Sequence, residues 1–215
     1  MRFHPAFSFL LLAAVPLATV QAAQAPPTSP AKPPAPHPIP GVPATANAVP
    51  LGQGEGGYHR MGLPGPADKP LPYTVEVPTG WVVKVAKDSK EMPGLWLGPY
   101  DAVPPKDPRL IYVRVSSVKL DDPEKAVANI RANDAKNDSW SAPLVEVRDL
   151  EGLKGVLVRM DSGSGDTARS TLALKLPYET GGIDFLAGAP RAEFEKQLPT
   201  YKRILLSVRR ASSGS

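Results

Sequence analysis

The feature that most restricts this chain is where its prolines fall. There are 27 in 215 residues, and they crowd ahead of residue 72. Proline offers no amide hydrogen to a helix or a sheet ladder and pushes its predecessor into extended backbone. A packed core must therefore come from about the last two thirds of the chain, a length that suits one domain rather than two.

The N-terminus reads as an address. Arg2 and His4 precede a run over 6–20 that is apolar apart from Ser8 and Thr19, and Val20-Gln21-Ala22 follows. A basic start, a short apolar stretch and small residues three and one before the cut are the parts of a secretory signal peptide. Cleavage after Ala22 fits best, because cleavage after Ala25 would leave Pro26 just beyond the scissile bond. The run is shorter than the roughly 20 residues of a spanning helix and contains Pro16, so it is expected to be removed. Loss of Arg2 takes the formal charge from +4 to +3.

Residues 26–50 alternate proline with small residues, and 52–57 are rich in glycine. Such a segment suits a semi-rigid polyproline spacer with no core of its own. The glycines are not flanked by the strand and helix that a phosphate-cradling loop requires. The expected organisation is a signal peptide over 1–22, a disordered linker over 23–69, a globular domain over 70–210 and a disordered tail over 211–215. The chain has no cysteine, which excludes disulfides, thiol catalysis and a lipidated cysteine anchor. The expected location is bacterial and periplasmic or secreted, with no transmembrane segment after cleavage.

Beyond Pro72 the pattern changes to short alternating strands. Tyr73, Val75 and Val77 alternate with Thr74 and Glu76, Pro78-Thr79-Gly80 makes a turn, and further strands fall at 81–85, 95–97 and 109–118. Asp122-Pro123-Glu124 has the cap, first-position proline and first-turn acid of a helix start, and the helix is expected to reach Lys136. Strands at 143–148, 155–161, 169–176 and 183–187 are separated by glycine-containing turns that suit antiparallel hairpins. A final helical stretch opens after Pro190, is interrupted by Pro199 and resumes to Arg209. The basic residues Lys202, Arg203, Arg209 and Arg210 read as the cationic end of that helix rather than a nucleic-acid surface.

This order predicts an α+β fold, an antiparallel sheet with helices packed on it. It resembles the PsbP-like superfamily, an α/β/α sandwich that includes the extrinsic P subunit of photosystem II, a Ran-binding nuclear transport factor, and DcrB-like and LpqN-type proteins. The likeness spans about residues 70–210. It is carried by the opening strand and Pro78-Thr79-Gly80-Trp81 turn, by Ile183-Asp184-Phe185-Leu186-Ala187, and by the ending Phe194, Tyr201, Ile204, Leu205, Ser207, Val208 and Arg209. Val208 stands where the family has an aromatic residue. The resemblance implies a protein that acts by binding.

No residues assemble a reaction in the sequence. Of three histidines only His59 lies near the domain, and a triad or histidine metal site would have to use it. Asp161-Ser162-Gly163-Ser164-Gly165-Asp166 lacks the ligand spacing of a calcium loop. The expectation is no catalytic residue, metal or cofactor, and a partner that is an envelope protein or a small ligand rather than nucleic acid. Tyr100, in a long proline-rich loop between strands, and Trp140, where the first helix pattern fades, are the candidate binding residues, since loops on rigid sheets often carry binding. The competing reading is an envelope hydrolase using Asp161, Asp166 or Asp184.

Overall fold

The structure is a computed structural model and describes residues 50–54, 57–65, 70–85, 94–104, 107–179 and 181–211. The signal peptide with its cut after Ala22, the linker as far as residue 49 and residues 212–215 lie outside the described residues.

The chain is α+β. Strands β1 (Pro50–Gly54), β2 (Tyr58–Gly62) and β3 (Tyr73–Pro78) join the two-residue β11 (Arg209–Arg210) in a four-stranded sheet of order β1-β2-β3-β11. The larger sheet holds β4 (Trp81–Val85), β5 (Gly94–Pro99), β6 (Ile111–Ser116), β7 (Trp140–Leu150), β8 (Leu153–Ser162), β9 (Arg169–Tyr178) and β10 (Gly181–Pro190). Its order is β4-β5-β6-β10-β9-β8-β7, with every pair antiparallel.

The two helices cover opposite faces of the larger sheet. Helix α1 (Pro123–Asp134) starts where Asp122 accepts the Lys125 amide at 3.0 Å, with Pro123 in the first turn. It packs over Val145, Val156 and Val158 in a small apolar cluster. Helix α2 (Arg191–Leu206) lies on the other side, in the main core. That core joins Met61, Val75 and Val77 of the smaller sheet to Leu172, Leu174, Ile183 and Phe185 of the larger one, with Phe194, Tyr201, Ile204 and Leu205 of the helix.

Three sequence expectations need correction. The domain does not begin at residue 70: β2 pairs along β3, and Met61 and Leu63 are in the core. The apolar signal there is short because Arg60 supplies much of the cohesion, donating to Thr74 Oγ1 at 3.1 Å, Glu76 Oε1 at 2.8 Å and the Ser207 carbonyl at 3.1 Å. Pro199 does not interrupt α2. Proline removes one amide and so orphans the carbonyl four residues back; here both Pro199 and Glu195 are on the exposed side, where that carbonyl is within reach of water. The helix does not reach Arg209 either, since α2 ends at Leu206 and Arg209 and Arg210 pair with Thr74 and Tyr73. In β5, Trp96 lies on the face away from the main core. It stacks on Tyr112 with ring centroids 4.6 Å apart, and Gly94 makes room because a Cβ there would run into the Tyr112 ring.

Ser207 ties the end of α2 to the smaller sheet. Its hydroxyl donates to the Ile204 carbonyl at 2.7 Å and accepts the Glu76 amide at 2.8 Å. Ser207→Ala would strand that amide in a part-buried place, at a cost of about 2 kcal/mol. Urea denaturation should show a lower midpoint at unchanged slope, and an unaltered midpoint would contradict this role.

Candidate contact site

Between β5 and β6, residues 100–104 and 107–110 form a connection whose backbone is pinned from three directions. Tyr100 donates its amide to the Gly80 carbonyl at 3.2 Å, and Ala102 to Pro99 at 3.0 Å. From β4, the Lys84 ammonium donates to the Tyr100 carbonyl at 2.9 Å and also to the Ala102 carbonyl. From α2, the Tyr201 hydroxyl donates to the Pro108 carbonyl. Ala102 and Leu110 are buried beneath the loop.

Charges close the base of the loop. Asp107 accepts from the Arg109 amide at 2.9 Å and binds its guanidinium through two further contacts, at 3.0 Å to Nε and 2.6 Å to Nη2. Asp101 approaches the same guanidinium at 3.3 Å. The Arg109 hydrogen bond holds the Asp107 carboxyl below its ordinary range and raises the guanidinium in return. Burial pushes the Lys84 ammonium down, against the opposing pull of Asp101 and Asp107. Burial likewise moves the Tyr201 phenol up to about 12, so it stays a donor at neutral pH.

What this frame presents is apolar. Tyr100 is 59% exposed and Val103 71% exposed. The sequence named Tyr100 as a candidate and not Val103, which the structure shows likewise exposed to water.

Trp140 is not part of the same surface. It is the first residue of β7 and packs, half-buried, against the α1 cluster beside Ile130. Five strand spacings separate β5 from β7, about 24 Å along the sheet. Trp140→Ala should therefore cost stability, about 2 kcal/mol, less than the roughly 3–5 of a fully buried aromatic.

The three carboxylates of the hydrolase reading are not gathered. Asp184, 7% exposed, is held between Arg114 at 3.2 Å and Lys175 at 3.1 Å. Asp161 pairs with Ser170, and Asp184 with Lys175. Those positions on β9 are five residues apart, about 17 Å along the strand and on opposite faces. Paired acids of glycosidases lie within about 10 Å of each other. Burial raises the Asp161 carboxyl, but Ser170 and Arg159 favour its charged form and leave it below the ordinary range. Asp166 is exposed in the short turn Gly165–Thr167 between β8 and β9. His59 lies within β2, opposite Val77. Among the described residues no group of three His, Cys, Asp or Glu could hold a metal ion, and no helix is long and apolar enough to cross a membrane.

No family model and no curated protein matches the chain. Among solved structures, it is similar to the solution structure of cyanobacterial PsbP (CyanoP) from Synechocystis sp. PCC 6803. The identity is 16% and the TM-score 0.48, over 75% of this chain and 99% of that one. A Pseudomonas aeruginosa protein of unknown function is similar at 9% identity and a TM-score of 0.37, over 60% of this chain and 85% of its own. A crystal structure from Bacteroides thetaiotaomicron VPI-5482 is similar at 8% identity and 0.40, over 67% of this chain and 47% of its own.

The Asp107–Arg109 pairing has a pH signature. A carboxylate whose folded pKa is depressed contributes stability that is present above its unfolded pKa, about 3.9, and lost as pH falls through the folded value. The Asp107 carboxyl carbon should titrate below about 3.9 by NMR and move back towards it in Arg109→Leu. The Leu110 amide, which donates to the Asp107 carbonyl at 3.2 Å, should exchange faster in the variant. An unmoved midpoint would show that the pair does not hold the loop.

Proposed function

We propose that this chain is an exported, non-catalytic binding domain of the bacterial cell envelope, periplasmic or secreted, which grips a protein partner through the loop apex at Tyr100 and Val103. The observation that carries this reading is a pinned backbone under exposed apolar side chains. Lys84, Arg109 and Tyr201 hold the loop carbonyls and charges, while Tyr100 and Val103 face water. A preordered loop loses little conformational freedom on binding, and an aromatic side chain is a common anchor of interfaces. The proline-rich segment upstream would act as the spacer that lets such a domain reach its partner.

The export half of the proposal rests on the run over 6–20 and the small residues before Ala23. N-terminal sequencing of protein recovered from the envelope should begin at Ala23; recovery of intact Met1 in the cytosol would overturn it. For the binding half, a photoreactive residue at position 103 should cross-link a discrete partner in cells. Tyr100→Ala and Val103→Ser should each weaken capture of that partner at least tenfold, a loss of roughly 1.4 kcal/mol, with no change in melting temperature. Partners retained by both variants would remove the loop as the contact site.

A further inference from the structure

The geometry points to a second copy of this chain docking along the outer edge of β7, forming a two-fold antiparallel pair centred on Val147. This surface is separate from the loop at Tyr100 and does not rest on the binding proposal above. β7 is the last strand of the larger sheet and, among the described residues, pairs only with β8. An edge strand of 11 residues offers unpaired amides and carbonyls as a template for another chain.

Which groups face outward follows from the hairpin. Leu150 pairs with Leu153 across Glu151 and Gly152, both with positive φ, at 59° and 84°. This is the two-residue type I′ connection, whose flanking pair exchanges hydrogen bonds. Leu150, Arg148, Glu146 and Leu144 thus bond inward to β8, and Asp149, Val147 and Val145 point their backbone groups out. The Val145 carbonyl confirms the parity, since it accepts from Arg131 of α1 at 2.8 Å. The N-terminal end of the strand is closed to a partner. A register shift falls between Ser141 and Leu144 around Pro143, and the Ala142 amide already donates to Asp134 at 2.8 Å. The open stretch is 144–150.

Charge selects one register of this stretch against itself. Within one chain, Arg148 and Glu146 are ion-paired on the same face at 2.5 Å. With the two-fold axis at Val147, each Glu146 stands opposite the other copy's Arg148, twice over, and Leu144 stands opposite Leu150. Val147 meets Val147 as a hydrogen-bonded pair, and Val145 meets Asp149. Moving the axis one residue either way sets Glu146 against Glu146 or Arg148 against Arg148, and like charges directly opposite are destabilising. Arg131 of α1 takes one lone pair of the Val145 carbonyl, which leaves the second for the amide of the other copy's Asp149. The nearer anchor of α1 on the edge is Val145, and the partner's equivalent anchor falls opposite Asp149, about 13 Å further along the strand.

Sedimentation velocity on the full chain tests the proposal. The wild type should sediment at twice the chain mass at high concentration. Glu146→Arg and Arg148→Glu should each give the single-chain mass, and the double variant Glu146→Arg with Arg148→Glu should regain the dimer. Val147→Pro removes an outward amide without touching the β8 ladder, and should give a folded monomer by circular dichroism. The charge variants decide the matter if the proline variant fails to fold. A wild type that stays monomeric at its solubility limit would overturn the proposal. So would a dimer indifferent to Glu146→Arg, or a double variant that does not re-associate.

Discussion

Phe194, Tyr201, Ile204 and Leu205 form one stripe along α2, each with no exposed surface, and burying each contributes about 1.5–3 kcal/mol. They share a single core with side chains of both sheets. Among the described residues no other helix packs on the smaller sheet, and its pairing of β11 with β3 is two residues long. A small sheet of short strands needs its apolar face packed to be stable in water. The smaller sheet therefore persists because α2 lies against it, and the Ser207 hydroxyl and the Arg60 guanidinium fix the place where helix and sheet meet.

α1 is the opposite kind of helix. Only Val127 is buried outright, so the helix cannot hold its position by apolar contact alone. It is held instead at its C-terminal end, by Arg131 reaching the Val145 carbonyl and Asp134 taking the Ala142 amide. Those two contacts occupy groups that an edge strand would otherwise expose. They blunt one end of β7 as an edge strand must be blunted, and leave the stretch beyond Val145 uncovered by the helix.

The alternating strands and the capped start of α1 were legible because period-two patterning and the Asp122-Pro123 pair are local signals. The helix through Pro199 was not, because whether a lost amide matters depends on which side of the helix faces water. β2 was hidden for a related reason. Its pairing depends on Arg60 bonding to Thr74, Glu76 and Ser207, residues 14, 16 and 147 positions away, and no short window contains them. Trp81 packs against the main core and Trp96 stacks outside it. The strand parity that separates them is set by the β4–β5 register, which places Trp81 opposite Pro99 and Trp96 opposite Lys84. At the contact site, Tyr100 could be named from the loop, but Lys84 and Tyr201 come from other elements and their role exists only once the sheet and α2 are assembled.

Asp184 shows how a costly group can serve the fold. Its strand, β10, is otherwise apolar or small along its length, Gly-Gly-Ile-Asp-Phe-Leu-Ala-Gly-Ala-Pro, and such a strand specifies register weakly against its neighbours. Burying a carboxylate beside Arg114 and Lys175 contributes little net stability, because desolvation offsets most of the attraction. A slip of one residue against β6 and β9 would turn the same carboxylate into the main core, against Leu174 or Leu176 of β9 and Val113 of β6, with neither cation in reach. The cost of an unpaired buried charge is far larger than that of losing a surface pair. The ion pair therefore acts less as an attraction than as a penalty on every register but one, and β10 is the strand for which that matters most, since it joins β6 to the β7–β9 meander and carries the floor on which α2 rests.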